Sequence, residues 1–155
     1  MFEVLTFVYE NYDQPEACPE PASLQRRLSA LGFESDDIRD ALAWLQGLHC
    51  AAHPAPLQPW LVQPRAGSTR VYPPHEQAHL GQRALGFITF LESAARLAPH
   101  MREVMVDRAM AAPGGPVSLQ DMKIIILLVY WRFGQEPDAL VLDELFEDHA
   151  TRLPH

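Results

Sequence analysis

One uninterrupted apolar run near the carboxyl end limits what this chain can fold into. The run covers the eight residues from Ile124 to Trp131. Ser118 is placed to cap the amino end of a helix, Asp121 follows at the spacing of a capping box, and Gly134 stands where a left-handed residue ends a helix. A helix without a polar face must be surrounded by other parts of the chain. At ~1.5 Å per residue the run spans roughly 12 Å, too little for a ~30 Å hydrocarbon layer, so we predict a buried core helix and no membrane span.

The composition is that of a folded globular protein. Of the 155 residues, 48% are hydrophobic and 21% are charged, which predicts one domain, or two small ones that share a core. The amino-terminal residues have an acid where a secretory signal would have a basic residue, and no cleavage site follows. We therefore expect a cytoplasmic protein. Cys18 and Cys50 are too few and too far apart for a disulfide framework, so both are expected to be reduced.

Negative charge dominates the chain and is concentrated in its first third. The formal net charge is −8, and residues 1–50 contain nine acids against three arginines. Residues 51–74 contain only Arg65 and Arg70 as charged side chains. An acidic field of this size repels phosphate and disfavours broad adhesion to nucleic acid or anionic membrane, although a local basic patch stays compatible with it.

Helical spacing of apolar residues predicts three helices in the first fifty residues. The first covers Phe2 to Tyr12, and a proline-rich loop separates it from a short second helix, Ser23 to Leu31, which Gly32 ends. Ser35 then begins a third helix. The proline-rich stretch from Cys50 to Pro74 predicts a two-stranded hairpin. Its two predicted strands are residues 60–63 and 69–72. Three helices followed by a hairpin have the order of a winged helix-turn-helix unit, assigned here to residues 1–74.

The second half, residues 75–155, is predicted to be a helical bundle built on the apolar run and sharing one core with the first half. Its expected helices cover His75 to about Leu97, a segment beginning at Pro99, the apolar run, and Asp138 to about His149. Residues 111–116 form the clearest break. The predicted fold class is therefore mainly α, with a winged-helix-like amino-terminal part and a carboxyl-terminal bundle.

Two histidine clusters resemble metal sites. His75 to His79 match His-Glu-x-x-His, whose histidines bind zinc while the glutamate serves as general base. The motif falls in the first helical turn, however, and the third ligand of the extended form is missing. His49, Cys50 and His53 lack a fourth ligand. Because phosphate loops, dinucleotide fingerprints and nucleophile elbows are also absent from the sequence, we predict a non-enzymatic protein without a metal or cofactor.

A DNA-reading helix-turn-helix would insert the amino end of its third helix into the major groove. Here that end carries Asp36, Asp37 and Asp40, whose carboxylates oppose phosphate at close range, so major-groove reading is disfavoured. The remaining candidates for a weak nucleic-acid contact are four arginines. They are Arg26, Arg27, Arg65 and Arg70.

Several blocks of the sequence resemble the bacterial Smg protein family. They are residues 1–5, 28–45, 70–72, 86–92 and 119–129, among which Gly32-Phe-Glu and Ala41-Leu-Ala-Trp-Leu form the most specific part. The resemblance covers nearly the whole chain. It implies a cytoplasmic bacterial protein of uncharacterised activity, whose gene often lies beside one for a DNA-processing protein used in natural transformation. Family members tend to have threonine, proline and two acids where this chain has Pro73-Pro-His-Glu, so the histidine pair is not a feature that the family implies.

Two functional hypotheses follow from these observations. The first is an interaction or adaptor protein that binds an unknown protein partner through its helical surfaces, with a link to DNA metabolism implied by the family. The alternative is a nucleic-acid-binding winged-helix protein that uses the wing arginines, for which DNA retention should depend on salt concentration. The sequence leaves the oligomeric state open.

Overall fold

Six α-helices make up most of the described part of the chain. The computed structural model describes residues 1–52, 71–94, 97–114, 116–137, 139 and 141–143. The helices are α1 (Phe2–Asn11), α2 (Pro21–Ala30), α3 (Ser35–Ala52), α4 (Pro74–Ala94), α5 (Pro99–Met110) and α6 (Leu119–Arg132), with a 3-10 turn at Pro15–Ala17. The described ranges contain no strand, and no helix in them is both long and apolar enough to cross a membrane. The prediction of a mainly helical fold is confirmed.

Helix α6 begins and ends at the residues that the sequence predicts. The Ser118 hydroxyl accepts a hydrogen bond from the Asp121 backbone N–H at 3.1 Å. Beyond the last turn, Gly134 has a φ of 64°, a left-handed conformation that costs glycine little. The helix packs against α1, α3, α4 and α5. The segment predicted to be enclosed is therefore surrounded by four other helices.

One face of α6 departs from the prediction of complete enclosure. The buried residues of the apolar run are Ile125, Ile126, Leu128, Val129 and Tyr130. Ile124, Leu127 and Trp131, three and four residues apart, are only half-buried. A face of this spacing lies along one side of a helix, so the apolar run has one stripe that its neighbours cover incompletely.

The amino-terminal and carboxyl-terminal helices contribute to one continuous hydrophobic core. Helices α1 and α3 pack against α6, and α3 also packs against α5, while α2 packs on α3. Buried residues such as Val8, Leu48, Leu91 and Met105 belong to the same cluster. The boundary at residues 74 and 75 is a prediction that these contacts leave open.

The predicted hairpin lies largely outside the described residues. Residues 53–70, which include Arg65, Arg70 and the first predicted strand, are not described. The limits predicted for the hairpin stretch, Cys50 and Pro74, were wrong. Helix α3 continues through Cys50 to Ala52, and Pro74 already belongs to α4. Val71 and Tyr72 have no regular secondary structure. The described residues therefore give no support to the winged-helix assignment.

The long helix predicted from His75 is interrupted. Within α4, Gly81 has φ 76° and ψ 162°, a conformation that residues with a Cβ rarely adopt. The preceding turn is held by a hydrogen bond from the Val117 N–H to the His79 carbonyl at 2.7 Å. Sequence periodicity continues across Gly81 and hides this break. Of the predicted final helix, residues 139 and 141–143 are described as helical, and Val141 is buried.

Helices α3 and α5 are joined by a reciprocal contact. The Trp44 indole N–H donates to the Arg108 carbonyl at 2.9 Å, and Arg108 Nη1 donates to the Trp44 carbonyl at 3.2 Å. The Arg108 guanidinium also lies 5.9 Å from the centre of the Trp44 ring. Gly47 makes this approach possible, because a Cβ at that position would lie 2.0 Å from Arg108 Nη1.

This contact predicts a coupling between positions 47 and 108. In an Arg108→Ala background, Gly47→Ala should raise the free energy of unfolding by about 1 kcal/mol, the helix-propensity difference between the two residues. With Arg108 present, the new methyl displaces the guanidinium and this gain should disappear. Urea denaturation of the four proteins of the double-mutant cycle measures the difference. Equal effects of Gly47→Ala in both backgrounds would show that the contact is absent in solution.

Candidate functional site

An apolar cleft opens between the 3-10 turn, α2, α3 and the carboxyl end of α6. It encloses about 270 Å³. The cleft is lined by Pro15, Cys18, Pro19, Pro21, Leu24, Leu42, Leu45, Gln46, Leu48, His49, Trp131 and Arg132. Eight of these side chains are apolar, and a ninth is a half-buried cysteine. We refer to this set of residues as the cleft.

The first wall of the cleft is built by the proline-rich connection between α1 and α2. The Cys18 N–H donates to the Pro15 carbonyl at 3.1 Å, which closes the 3-10 turn. Pro21 occupies the first turn of α2, where its missing N–H costs nothing because that donor has no helical partner. The prolines thus fix the backbone of this wall with few conformations to lose on binding.

Helix α3 provides the second wall because its apolar arc is wider than the core needs. Ile38, Trp44 and Leu48 are buried against the other helices. Leu42 and Leu45, on the adjoining part of the arc, are half-buried and line the cleft. A helix that packs on only one side normally shows a narrower stripe. The extra apolar surface of α3 is therefore directed into the cleft.

The end of α6 forms the third wall. The Trp131 indole N–H donates to the Tyr12 carbonyl at 2.8 Å, which fixes the orientation of the ring. The next residue, Arg132, donates through Nη2 to His49 Nδ1 on α3. Because arginine can only donate, His49 Nδ1 must accept, and the neutral imidazole carries its hydrogen on Nε2. The cleft therefore has a polar end between α3 and α6, and none of the described residues that line it is acidic.

Cys18 gives the cleft a built-in chemical reporter. Burial raises the pKa of its thiol, because removal from water disfavours the thiolate. Since the thiolate is the form that reacts with alkylating agents, alkylation of Cys18 in a Cys50→Ser protein should reach half of its maximal rate at a higher pH in the folded state than in urea. Iodoacetamide labelling followed by mass spectrometry measures both profiles. Superimposable profiles would contradict the burial of Cys18.

The two histidines of the His-Glu-x-x-His motif lie in different surroundings on α4. His75 is exposed in the first turn of α4, whereas His79 Nε2 donates to the Ala109 carbonyl at 3.1 Å. That nitrogen therefore carries hydrogen and has no lone pair for a metal ion. Over the part of the chain that the structure describes, no group of three or more His, Cys, Asp or Glu side chains is arranged to hold a metal ion. His53, from the second cluster, lies outside the described residues.

Two of the four candidate arginines are described. Arg26 and Arg27 are both exposed on α2. Arg26 Nε donates to the Ala22 carbonyl at 3.4 Å, and Arg27 Nη1 donates to the Tyr12 hydroxyl at 3.2 Å. Arg65 and Arg70 lie outside the described residues. A basic surface formed by all four arginines stays a prediction.

The acidic start of α3 is partly neutralised by its neighbours. The amino group of Met1 lies 2.9 Å from Asp37 Oδ1. Arg39 lies 3.4 Å from Asp36 and 3.7 Å from Asp40, with exposed side chains on both sides of each pair. Exposed pairs of this kind contribute little to stability. They leave a polar, solvated helix end.

Comparison with known proteins identifies the family. The whole chain, residues 1–155, matches the model of a family described as a protein of unknown function, DUF494. It is 53% identical to a Protein Smg homolog of Methylibium petroleiphilum, 55% to that of Leptothrix cholodnii and 45% to that of Bordetella pertussis, each over 155 residues and the full length of both chains. The chain belongs to the Smg family. No solved structure matches it.

Membership of the Smg family confirms the resemblance predicted from the sequence and assigns no reaction or ligand. The name of the family says nothing about binding residues, so the cleft is defined by geometry alone. The cleft was not predicted from the sequence. Two features of the sequence could have indicated the cleft. The prolines at 15, 19 and 21 indicate a rigid loop, and the apolar arc of α3 is wider than a helix that packs on one side requires.

Proposed function

We propose that this Smg-family protein is a non-enzymatic interaction protein that binds another protein through the cleft. The observation that supports the proposal is the concentration of half-buried apolar side chains, Leu42, Leu45 and Trp131, in one concave surface. The binding energy of protein interfaces is concentrated in a few pockets that are shielded from water and enriched in tryptophan, tyrosine and arginine, and Trp131 among leucines is such an arrangement. The proposal places the protein in the cytoplasm and links it to DNA metabolism, and both of these points rest on the resemblance to the family.

The size of the cleft favours a protein segment over a metabolite. Small-molecule sites usually enclose about 300–1,000 Å³ and surround most of the ligand. The cleft holds about 270 Å³, at the lower limit of that range, and is partly open to solvent. This volume suits one or two side chains of a partner whose remaining contacts lie on the surrounding surface. The polar groups at its end, Gln46, His49 and Arg132, can fix orientation but do not form an arrangement of nucleophile and base.

Site-specific photo-crosslinking tests the proposal. A benzophenone amino acid is introduced at Leu45 in the cleft and, as a control, at Leu85, a half-buried leucine of α4 that does not line the cleft. Both proteins are irradiated in the cells that naturally produce the chain. We expect a discrete crosslinked protein from position 45 and not from position 85. Identical products from both positions, or none from position 45, would contradict the proposal.

A further inference from the structure

We propose that the protein has a second docking surface, which binds a protein segment that presents apolar side chains between lysines or arginines. The surface is formed by the turn between α2 and α3 and by the adjoining face of α1. We call it the turn surface, and its residues are Glu3, Phe7, Glu10, Leu31, Phe33 and Glu34. It shares no residue with the cleft, so this proposal does not depend on the proposed function.

Leu31 is a large apolar side chain that the fold leaves 56% exposed. The turn that contains it is closed by the backbone, because the Gly32 N–H donates to the Ser29 carbonyl at 3.1 Å and the Phe33 N–H donates to the Leu28 carbonyl at 3.3 Å. These two bonds form a Schellman motif, whose apolar contact joins the positions of Phe33 and Leu28. An apolar side chain at Leu31 is therefore not required by the turn.

Two aromatic rings extend the apolar part of the turn surface. Phe33, two residues after Leu31, contacts Phe7 of α1 edge to face, with 5.8 Å between the ring centres. Both rings are only half-buried, so each keeps apolar surface in contact with water. A partner that covers the two rings and Leu31 would remove this surface from water, which favours binding.

Three carboxylates accompany these apolar side chains. Glu3 and Glu10 lie four residues before and three residues after Phe7, which places all three on one face of α1. Glu34 directly follows Phe33. The three glutamates are exposed, and within the described part of the chain none of them forms an ion pair. They are therefore available to a cationic partner.

The charge balance around the turn surface determines the sign of the partner. Residues 1–11 and 27–40 contain six carboxylates and only three cationic groups, one of them the amino group of Met1. Among the cations, Arg27 donates to the Tyr12 hydroxyl at 3.2 Å. The field at this surface is thus negative, which attracts lysine and arginine and repels phosphate. A basic protein segment fits it, whereas a nucleic acid or an anionic membrane does not.

Three synthetic peptides test this proposal on the full chain. The first is a short helical peptide with leucines along one face and lysines on the other. The second replaces its leucines by alanine, and the third replaces its lysines by glutamate. Binding is followed through the backbone amide NMR signals of Phe7, Leu31 and Phe33. We expect the first peptide to bind about tenfold more tightly than the second, which is the gain from burying about one leucine side chain, and the third not to bind.

A variant at Leu31 assigns the apolar contribution to the turn surface. Leu31→Ser should weaken binding of the peptide with leucine and lysine by about tenfold. The matched control is Val71→Ser, at an apolar side chain that is 85% exposed and lies outside the turn surface, and it should leave the affinity unchanged. The comparison of the three peptides in the unmodified protein does not depend on either variant folding.

A second pair of variants assigns the charge contribution. Replacing Glu3 and Glu34 together by glutamine should weaken binding of the same peptide by about fivefold at low salt, since exposed ion pairs are weak and screened. The control replaces Glu16 and Glu20 by glutamine, which removes two exposed carboxylates outside the turn surface. It should change the affinity much less.

Each other outcome would overturn the proposal. Equal affinities of the leucine and alanine peptides would remove the apolar contact, and equal affinities of the lysine and glutamate peptides would remove the charge preference. Shifts confined to Leu42 and Leu45 would place the peptide in the cleft and leave the proposed function standing. Turn-surface signals that change with protein concentration alone would assign this surface to a second copy of the chain.

Discussion

Leu128→Ala should lower the free energy of unfolding by about 3 kcal/mol, whereas Leu127→Ala should cost about 1 kcal/mol or less. Both substitutions remove the same atoms from neighbouring positions of α6. Leu128 is completely buried and Leu127 is half-buried. Replacing a leucine of a packed core by alanine costs about 2–5 kcal/mol, because the transfer free energy of the removed atoms is lost and a cavity remains. At a partly exposed site the neighbouring side chains can move into the vacated space, and less apolar surface is lost from burial. The cost at Leu127 is therefore smaller.

Urea denaturation of the two variants measures this difference directly. The slope of the free energy against denaturant should stay unchanged in both, which shows that the change concerns stability and not the compactness of the unfolded chain. Equal losses from the two substitutions would mean that α6 is not oriented as described. A larger loss from Leu127→Ala would reverse the buried and half-buried faces of the helix.

Leu45→Asp should weaken binding of the partner captured at position 45 by about 30-fold, equivalent to roughly 2 kcal/mol. Leu45 lies half-buried in the cleft, where a carboxylate would bring a hydrated charge among apolar side chains that a partner must cover. Its replacement should affect binding more than folding, because the side chain is already partly in water. Isothermal titration calorimetry with the purified partner measures the affinity.

The matched control for this variant is Leu85→Asp. Leu85 is also a half-buried leucine packed at the edge of the core, but it lies on α4 and does not line the cleft. The two variants should lose similar stability, which thermal denaturation checks, and only Leu45→Asp should lose affinity. Similar losses of affinity in both would indicate that binding follows overall stability and not the cleft.

Much of the fold could be predicted because local signals and burial agree. Ser118 and Gly134 mark the two ends of α6 through hydrogen bonding and backbone conformation, and both effects depend on nearby residues alone. The same holds for Gly32, which follows α2 with a φ of 94°. Pro99 begins α5 where its missing N–H is tolerated. Local chemistry of this kind can be inferred directly from a sequence.

The features that could not be predicted depend on contacts between distant residues. The break at Gly81 lies beside hydrogen bonds of His79 with Ala109 and Val117, thirty or more residues away. The close approach of Arg108 to Gly47 joins two helices that no local pattern relates. The cleft likewise requires the proline-rich loop, α3 and the end of α6 to meet. Periodicity places the leucines of α3 on one apolar face, because it distinguishes apolar from polar positions and not core from cleft.

The functional hypotheses differ in how far the structure bears on them. The cleft is a defined apolar surface that supports the proposal of an interaction protein. The nucleic-acid alternative depends on Arg65 and Arg70, which lie outside the described residues, and it stays a prediction with a simple test. Retention on DNA at low salt that is lost in an Arg65→Ala, Arg70→Ala variant would support it.

The most direct test of the cleft as the docking surface uses its own cysteine. In a Cys50→Ser protein, Cys18 is the only thiol, and it lies in the cleft wall. Its alkylation rate is measured by mass spectrometry with and without a saturating amount of the partner captured at position 45. The account predicts that the partner slows alkylation by about tenfold or more, because a bound side chain excludes the reagent. An alkylation rate that the bound partner leaves unchanged would contradict it.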